Sequence, residues 1–142
     1  MKLAQFLWYL FIACIEVHVN QLLPASWQRK LSERRLIRTI RAAYENVPFY
    51  RQKYDEAGVD IKSIRSADDI KKLPFLTKDE VLLNFPQSIV ARGVNIDTCH
   101  YSATTGSTGR SLPFIFTKKT FAFYIATGVR MYTMIGYRPW HK

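Results

Sequence analysis

At 142 residues the chain has room for one ordinary domain, and with 48% hydrophobic and 23% charged residues it is not composed like a disordered segment. Lys and Arg outnumber Asp and Glu 21 to 11, a formal charge of +10 that favours anionic partners without choosing among nucleic acid, lipid and polyphosphate. The two cysteines, Cys14 and Cys99, and the three histidines, His18, His100 and His141, form neither a disulfide framework nor a zinc-type spacing, which points to a reducing, cytoplasmic compartment.

Phe6 to Ile15 is an unbroken apolar run. As a helix it would span only ~15 Å, half of a bilayer core. Extending it over residues 3–23 supplies the length but brings in Glu16, whose insertion near mid-helix costs about 3 kcal/mol. At 100° per residue, Gln5, Tyr9, Glu16 and Asn20 share one narrow stripe, with Leu3, Leu7, Leu10, Phe11 and Cys14 opposite. Residues 1–25 are therefore expected to form an amphipathic leading helix that lies in a membrane interface or docks on a protein groove. A secretory signal is disfavoured because no clear small-x-small cleavage site follows. The basic residues Arg29, Lys30, Arg34, Arg35, Arg38 and Arg41, opposed locally by Glu33, would keep the rest of the chain on the cytoplasmic side of any membrane that residues 3–23 contact. Without a membrane they read as a solvated helix face.

Pro24 ends that helix and Ser26 is placed to cap a second, whose apolar positions are Trp27, Leu31, Leu36, Ile40, Tyr44 and Val47. Pro48 fits the first position of a short helix over Phe49 to Ala57, closed by Gly58. Ser66 with Asp69, and Thr77 with Glu80, are capping-box pairs that open two further short helices. Thr98 to Ala103 and Leu112 to Thr117 read as strands, and Lys119 to Ile135 as a helix through Phe123, Ile125, Val129 and Tyr132 before Gly136 and Pro139.

Between the two strands, residues 102–110 combine hydroxyl side chains, Gly106, Gly109 and Arg110. Glycines let backbone N–H groups turn toward one anion, hydroxyls donate to phosphate oxygens, and a guanidinium supplies charge-assisted bonds. The Walker pattern is absent, as is the dinucleotide glycine spacing. On composition alone, a flexible surface loop fits as well as a phosphate site. His100 reads as structural, Cys99 as inert, and the Trp, Phe and Tyr positions as packing rather than base-stacking platforms.

Thr105-Gly106-Ser107-Thr108-Gly109-Arg110 resembles the phosphate loop of the adenylate-forming superfamily of acyl-CoA synthetases, with Ser111 where proline is usual. Upstream, residues 41–51, 55–60 and 70–79 resemble, in order and spacing, the N-terminal helical region of phenylacetate-CoA ligases and their capsule-biosynthesis relatives. The resemblance covers residues 29–140 and implies an α/β fold, α+β as truncated: a helical region followed by the start of the enzyme's sheet, with a strand-loop-strand phosphate loop. Residues 26–142 would be an incomplete N-terminal part of the AMP-binding domain, roughly the first third of a family member.

The family's chemistry would be attack of a carboxylate on the α-phosphate of ATP, with Mg2+, followed by acyl transfer to a thiol such as coenzyme A. By position, Thr105, Ser107 and Thr108 would hold the β- and γ-phosphates with the backbone of Gly106 and Gly109, while Arg110 would offset charge on the departing pyrophosphate. The resemblance assigns no catalytic residue and no metal ligand to this stretch, so catalysis would need further chain or a complementing polypeptide. The acyl substrate is left as a small-molecule carboxylic acid. A non-catalytic, membrane-associated module of the same ancestry in polysaccharide or capsule biosynthesis is the alternative. Nucleic-acid binding rests on charge alone and is the weakest reading.

Overall fold

The computed structural model describes residues 3–106 and 109–137. It divides into two compact units, one formed by residues up to 28, 96–102 and from 114 onward, the other by residues 29–95 and 103–113. Helices dominate, with one two-stranded antiparallel sheet.

The first unit is built on two long helices, α1 (Leu3–Leu22) and α5 (Lys118–Met134), which pack on each other. Thr117 caps α5 by accepting from the Thr120 N–H at 3.2 Å. The fully buried residues of this pair are Ala13 on α1 and Ala122 and Ala126 on α5. Small side chains allow two helix backbones to approach closely. Aromatic rings fill the margin: Phe6 lies 6.2 Å from Phe121, and His100 stacks on Phe121 with ring centroids 4.0 Å apart. His100 thus packs, as the sequence implies.

The sheltered side of α1 runs through Phe6, Tyr9, Ala13, Glu16 and Asn20, so it includes most of the polar stripe. The opposite side is open: Leu3, Leu7, Trp8, Phe11, Ile12, Ile15, Val19 and Leu22 are all exposed. On α5, likewise, Val129 and Tyr132 are exposed although their spacing marks them as apolar positions. The alanines set the contact faces here, and an apolar-period pattern weighted toward large side chains does not find them.

The second unit carries most of α2 (Ala25–Asn46), together with α3 (Pro48–Glu56) and α4 (Lys78–Asn84). Its core is Ile40, Tyr54 and the fully buried Ile64, with Leu36, Tyr44, Tyr50, Val59, Ile61 and Leu73 packed around them. Burial raises the Tyr54 pKa, and the hydrogen bond from the Tyr44 hydroxyl to Asp55, 2.8 Å long, raises that of Tyr44. Pro48 takes the first position of α3 and Gly58 follows that helix at φ +67, the left-handed conformation that favours glycine. The Phe49 N–H donates to the Ser88 carbonyl at 2.9 Å and the Arg92 N–H to the Asn46 carbonyl at 2.7 Å, which ties the chain after α4 back to α2 and α3.

Two local expectations are corrected. Ser26 lies inside α2, because the Pro24 carbonyl already accepts from the Trp27 and Gln28 N–H groups and the helix starts at Ala25. The short helix that the Ser66–Asp69 capping box opens is present as Ala67–Lys72, a 3-10 helix stopped after six residues by Leu73, which precedes Pro74 and is held extended at ψ 141. The first strand is shorter than residues 98–103: Ile96–Thr98 forms a 3-10 turn closed by the Cys99 N–H, and β1 covers only His100–Ala103, paired with β2 (Pro113–Phe116).

Candidate functional site

The candidate loop leaves β1 at Thr104 and re-enters the sheet at Leu112. Its neck is closed by the Thr104 N–H donating to the Leu112 carbonyl at 3.0 Å and the Leu112 N–H donating to Thr104 Oγ1 at 2.9 Å. Between these points the described residues adopt no helix or strand, and Thr105, Gly109 and Arg110 are exposed. Ser107 and Thr108 lie outside the described residues.

Both glycines have a physical reason. Gly109 has φ +81, and its N–H donates to the Gly106 carbonyl at 3.0 Å, so that amide is committed within the turn. At Gly106 a Cβ would stand 2.3 Å from the Arg110 carbonyl oxygen and 2.7 Å from its carbon. The loop therefore folds back on itself at a point where no side chain fits.

The first turn of α4 holds the loop exit. Lys78 Nζ donates to the Arg110 carbonyl, and Arg110 Nη1 pairs with Asp79 Oδ1 at 3.0 Å, both side chains being largely exposed. Thr77 and Glu80 fix that turn by a capping box in which the Glu80 carboxylate accepts from the Thr77 N–H at 2.7 Å and its hydroxyl at 2.8 Å. Glu80 also pairs with Lys53 of α3, and these bonds, Lys53 first, hold its carboxyl at about 2. Asp69 is held well below the usual carboxylate range by Lys72 and by the Arg65 and Ser66 groups it caps.

Sequence reading finds the loop residues but not Lys78 and Asp79 as their neighbours. These two lie about thirty positions upstream inside a block matched for other reasons, and nothing in a one-dimensional pattern pairs Asp79 with Arg110. The consequence is chemical: Arg110 is already partnered by a carboxylate, so an incoming phosphate has to exchange with Asp79 for its guanidinium. Lys78 brings a second cation to the same place. No group of three His, Cys, Asp or Glu side chains able to hold a metal ion occurs among the described residues.

Comparison with known proteins gives consistent relatives. No family model matches the chain. It is 33% identical over 117 residues to a phenylacetate-coenzyme A ligase of Thermus thermophilus, covering 82% of this chain and 26% of that protein. It is 38% identical over 80 residues to the phenylacetate-coenzyme A ligase of Escherichia coli, covering 56% of this chain and 18% of that one. The chain thus spans about a quarter or less of the curated relatives it matches. Among solved structures, 2-hydroxyisobutyryl-CoA ligase in its postadenylation state, in complex with 2-HIB-AMP, superimposes on 82% of this chain and 25% of its own with a TM-score of 0.68 and 24% identity. A second structure of that ligase, with 2-HIB-AMP and CoA in the thioesterification state, covers 68% of this chain and 21% of its own at a TM-score of 0.55 and 27% identity.

Proposed function

The chain belongs to the phenylacetate-CoA ligase family, and from that premise we propose that it is the N-terminal part of an ATP-dependent, AMP-forming ligase. In the complete activity a carboxylic acid is converted to an acyl-adenylate and the acyl group passes to a thiol such as coenzyme A, as the names of the relatives and the ligands of the structural neighbour support. Residues 1–25 are the leading helix of this arrangement and residues 26–142 an incomplete part of the AMP-binding domain, with the remaining pocket walls supplied by further chain or a complementing polypeptide. The activity is cytoplasmic.

The observation that carries the reading is the open loop between β1 and β2, folded tightly at Gly106 and flanked by Lys78 and Arg110. By the resemblance of the loop, Thr105, Ser107 and Thr108 would donate hydroxyl hydrogen bonds to β- and γ-phosphate oxygens, and Gly106 admits the chain's close return. Arg110 takes charge from the departing pyrophosphate after releasing Asp79. Such chemistry needs positioning and charge neutralisation more than covalent help from the protein.

Two measurements on the purified 142-residue chain test this. In a chain carrying Arg34→Gln with Arg38→Gln, which removes cations elsewhere on α2, pyrophosphate is expected to bind by calorimetry and to lose that binding when Thr108→Ala and Gly109→Ala are added. No carboxylate-dependent exchange of pyrophosphate into ATP is expected from the chain alone, and exchange clearly above the variant's would overturn the assignment as an incomplete ligase.

The outward apolar face of α1 favours a second, compatible reading: residues 3–23 contact the inner face of a membrane peripherally. The helix is long and apolar enough to cross a bilayer by length and composition, but Glu16 and Asn20 lie on its sheltered side, which suits a helix lying along a surface. Liposome flotation checks it: Leu7→Asp with Phe11→Asp should abolish co-flotation, and unchanged flotation would remove the membrane contact.

A further inference from the structure

Within the second unit an open groove of about 590 Å³ lies along α2, lined by Arg34, Arg38, Arg41 and Arg65 together with Ile37 and Ala42. Arg34, Arg38 and Arg41 recur at spacings of four and three, which puts all three guanidinium groups on one helix face. Arg65 arrives from the segment that follows the buried Ile64. Arg41 Nη2 donates to the Ile64 carbonyl at 3.3 Å, which fixes one wall of the groove against that segment.

These charges are not neutralised from within. Among the described residues none of the four arginines forms an ion pair. Glu33, beside Arg34 in sequence, accepts instead from the Ala67 N–H at 3.0 Å. Asp69 accepts from the Arg65 and Ser66 N–H groups and pairs with Lys72 at 2.6 Å. Glu45 is the single carboxylate among the lining residues. All four arginines are exposed and so open to a ligand from solution. Here a second chain segment adds a fourth guanidinium to the same concavity and raises the local positive potential.

A multivalent anion relieves that repulsion, and guanidinium groups match phosphate oxygens with paired N–H donors. The volume suits a ligand larger than one phosphate. The groove shares no residue with the loop at 105–110 and is independent of the ligase assignment. We infer that this groove is a second anion site, taking a ligand with at least two phosphate groups, either free in solution or displayed by lipid headgroups.

The test uses the full chain carrying Arg110→Gln, so that the loop contributes least. One arm titrates inorganic tripolyphosphate by calorimetry and follows the arginine side-chain N–H resonances. The other measures sedimentation with phosphatidylcholine vesicles containing phosphatidylinositol bisphosphate, against pure phosphatidylcholine to subtract any contribution of α1. Saturable binding is expected in at least one arm, weakened ~10-fold or more by Arg34→Gln with Arg38→Gln. Arg65→Gln, outside α2, should weaken it in the same arm and guards against misfolding of the double variant. Absence of saturation in both arms, affinity unchanged in both variants, or binding to single-stranded DNA alone would overturn the site.

Discussion

The two units bury their residues by opposite means. In the second, large side chains turn inward: Ile40, Tyr54 and Ile64 form a core, and capping residues fasten the short elements around it. In the first, α1 and α5 meet through alanines, while Leu7, Trp8 and Phe11 face outward. Apolar composition alone therefore does not say which side of a helix is inside. A face of small residues can be the packing face, and the large apolar side then remains open for something else.

The sharpest way to break this contrast is Ile64→Ala. Ile64 is fully buried at the centre of its cluster, and truncating such a side chain costs about 2–5 kcal/mol, the lost transfer energy plus the cavity. Urea denaturation should show that loss, with amide exchange accelerated across α2 and α3. A loss below about 0.5 kcal/mol, the range of ordinary surface changes, would mean that the second unit is not organised around this residue.

A smaller effect of the opposite kind is expected in the first unit. Ala126→Leu adds bulk to a fully buried position on α5, and overpacking costs about 1–3 kcal/mol. Its signature should be faster exchange in α1 and α5 with α3 and α4 unaffected. If the substitution is neutral or stabilising, the alanine contact is loose and the outward apolar face of α1 is free to turn inward.

The same contrast explains what was legible in the sequence. Rules acting over a few residues succeeded in the second unit: Pro48 at the start of α3, Gly58 after its end, and the Thr77–Glu80 capping box all depend on neighbours within a turn. The strand-loop-strand unit was visible because β-branched and aromatic runs flank small residues. The packing face of α1 was not, because it depends on α5, more than a hundred positions away in sequence. Nor was the attachment of the loop exit to α4, since the Lys78 and Asp79 contacts with Arg110 need the fold to bring them together.

The smallest expected effect concerns a polar latch in the second unit. Glu80 caps α4, pairs with Lys53 and so ties α4 to α3 beside the loop, with its carboxyl lowered from 4.5 to about 2. A depressed folded-state value means that the ionised form favours the folded state. The contribution is fully present above pH 4.5 and is lost as pH falls through about 2. Partial exposure and salt screening keep it modest. Thermal melts between pH 5.5 and 2 should thus show a decline that Glu80→Gln flattens, with the two proteins converging at the acidic end. A parallel decline in both would mean that the folded and unfolded chains hold the Glu80 proton equally.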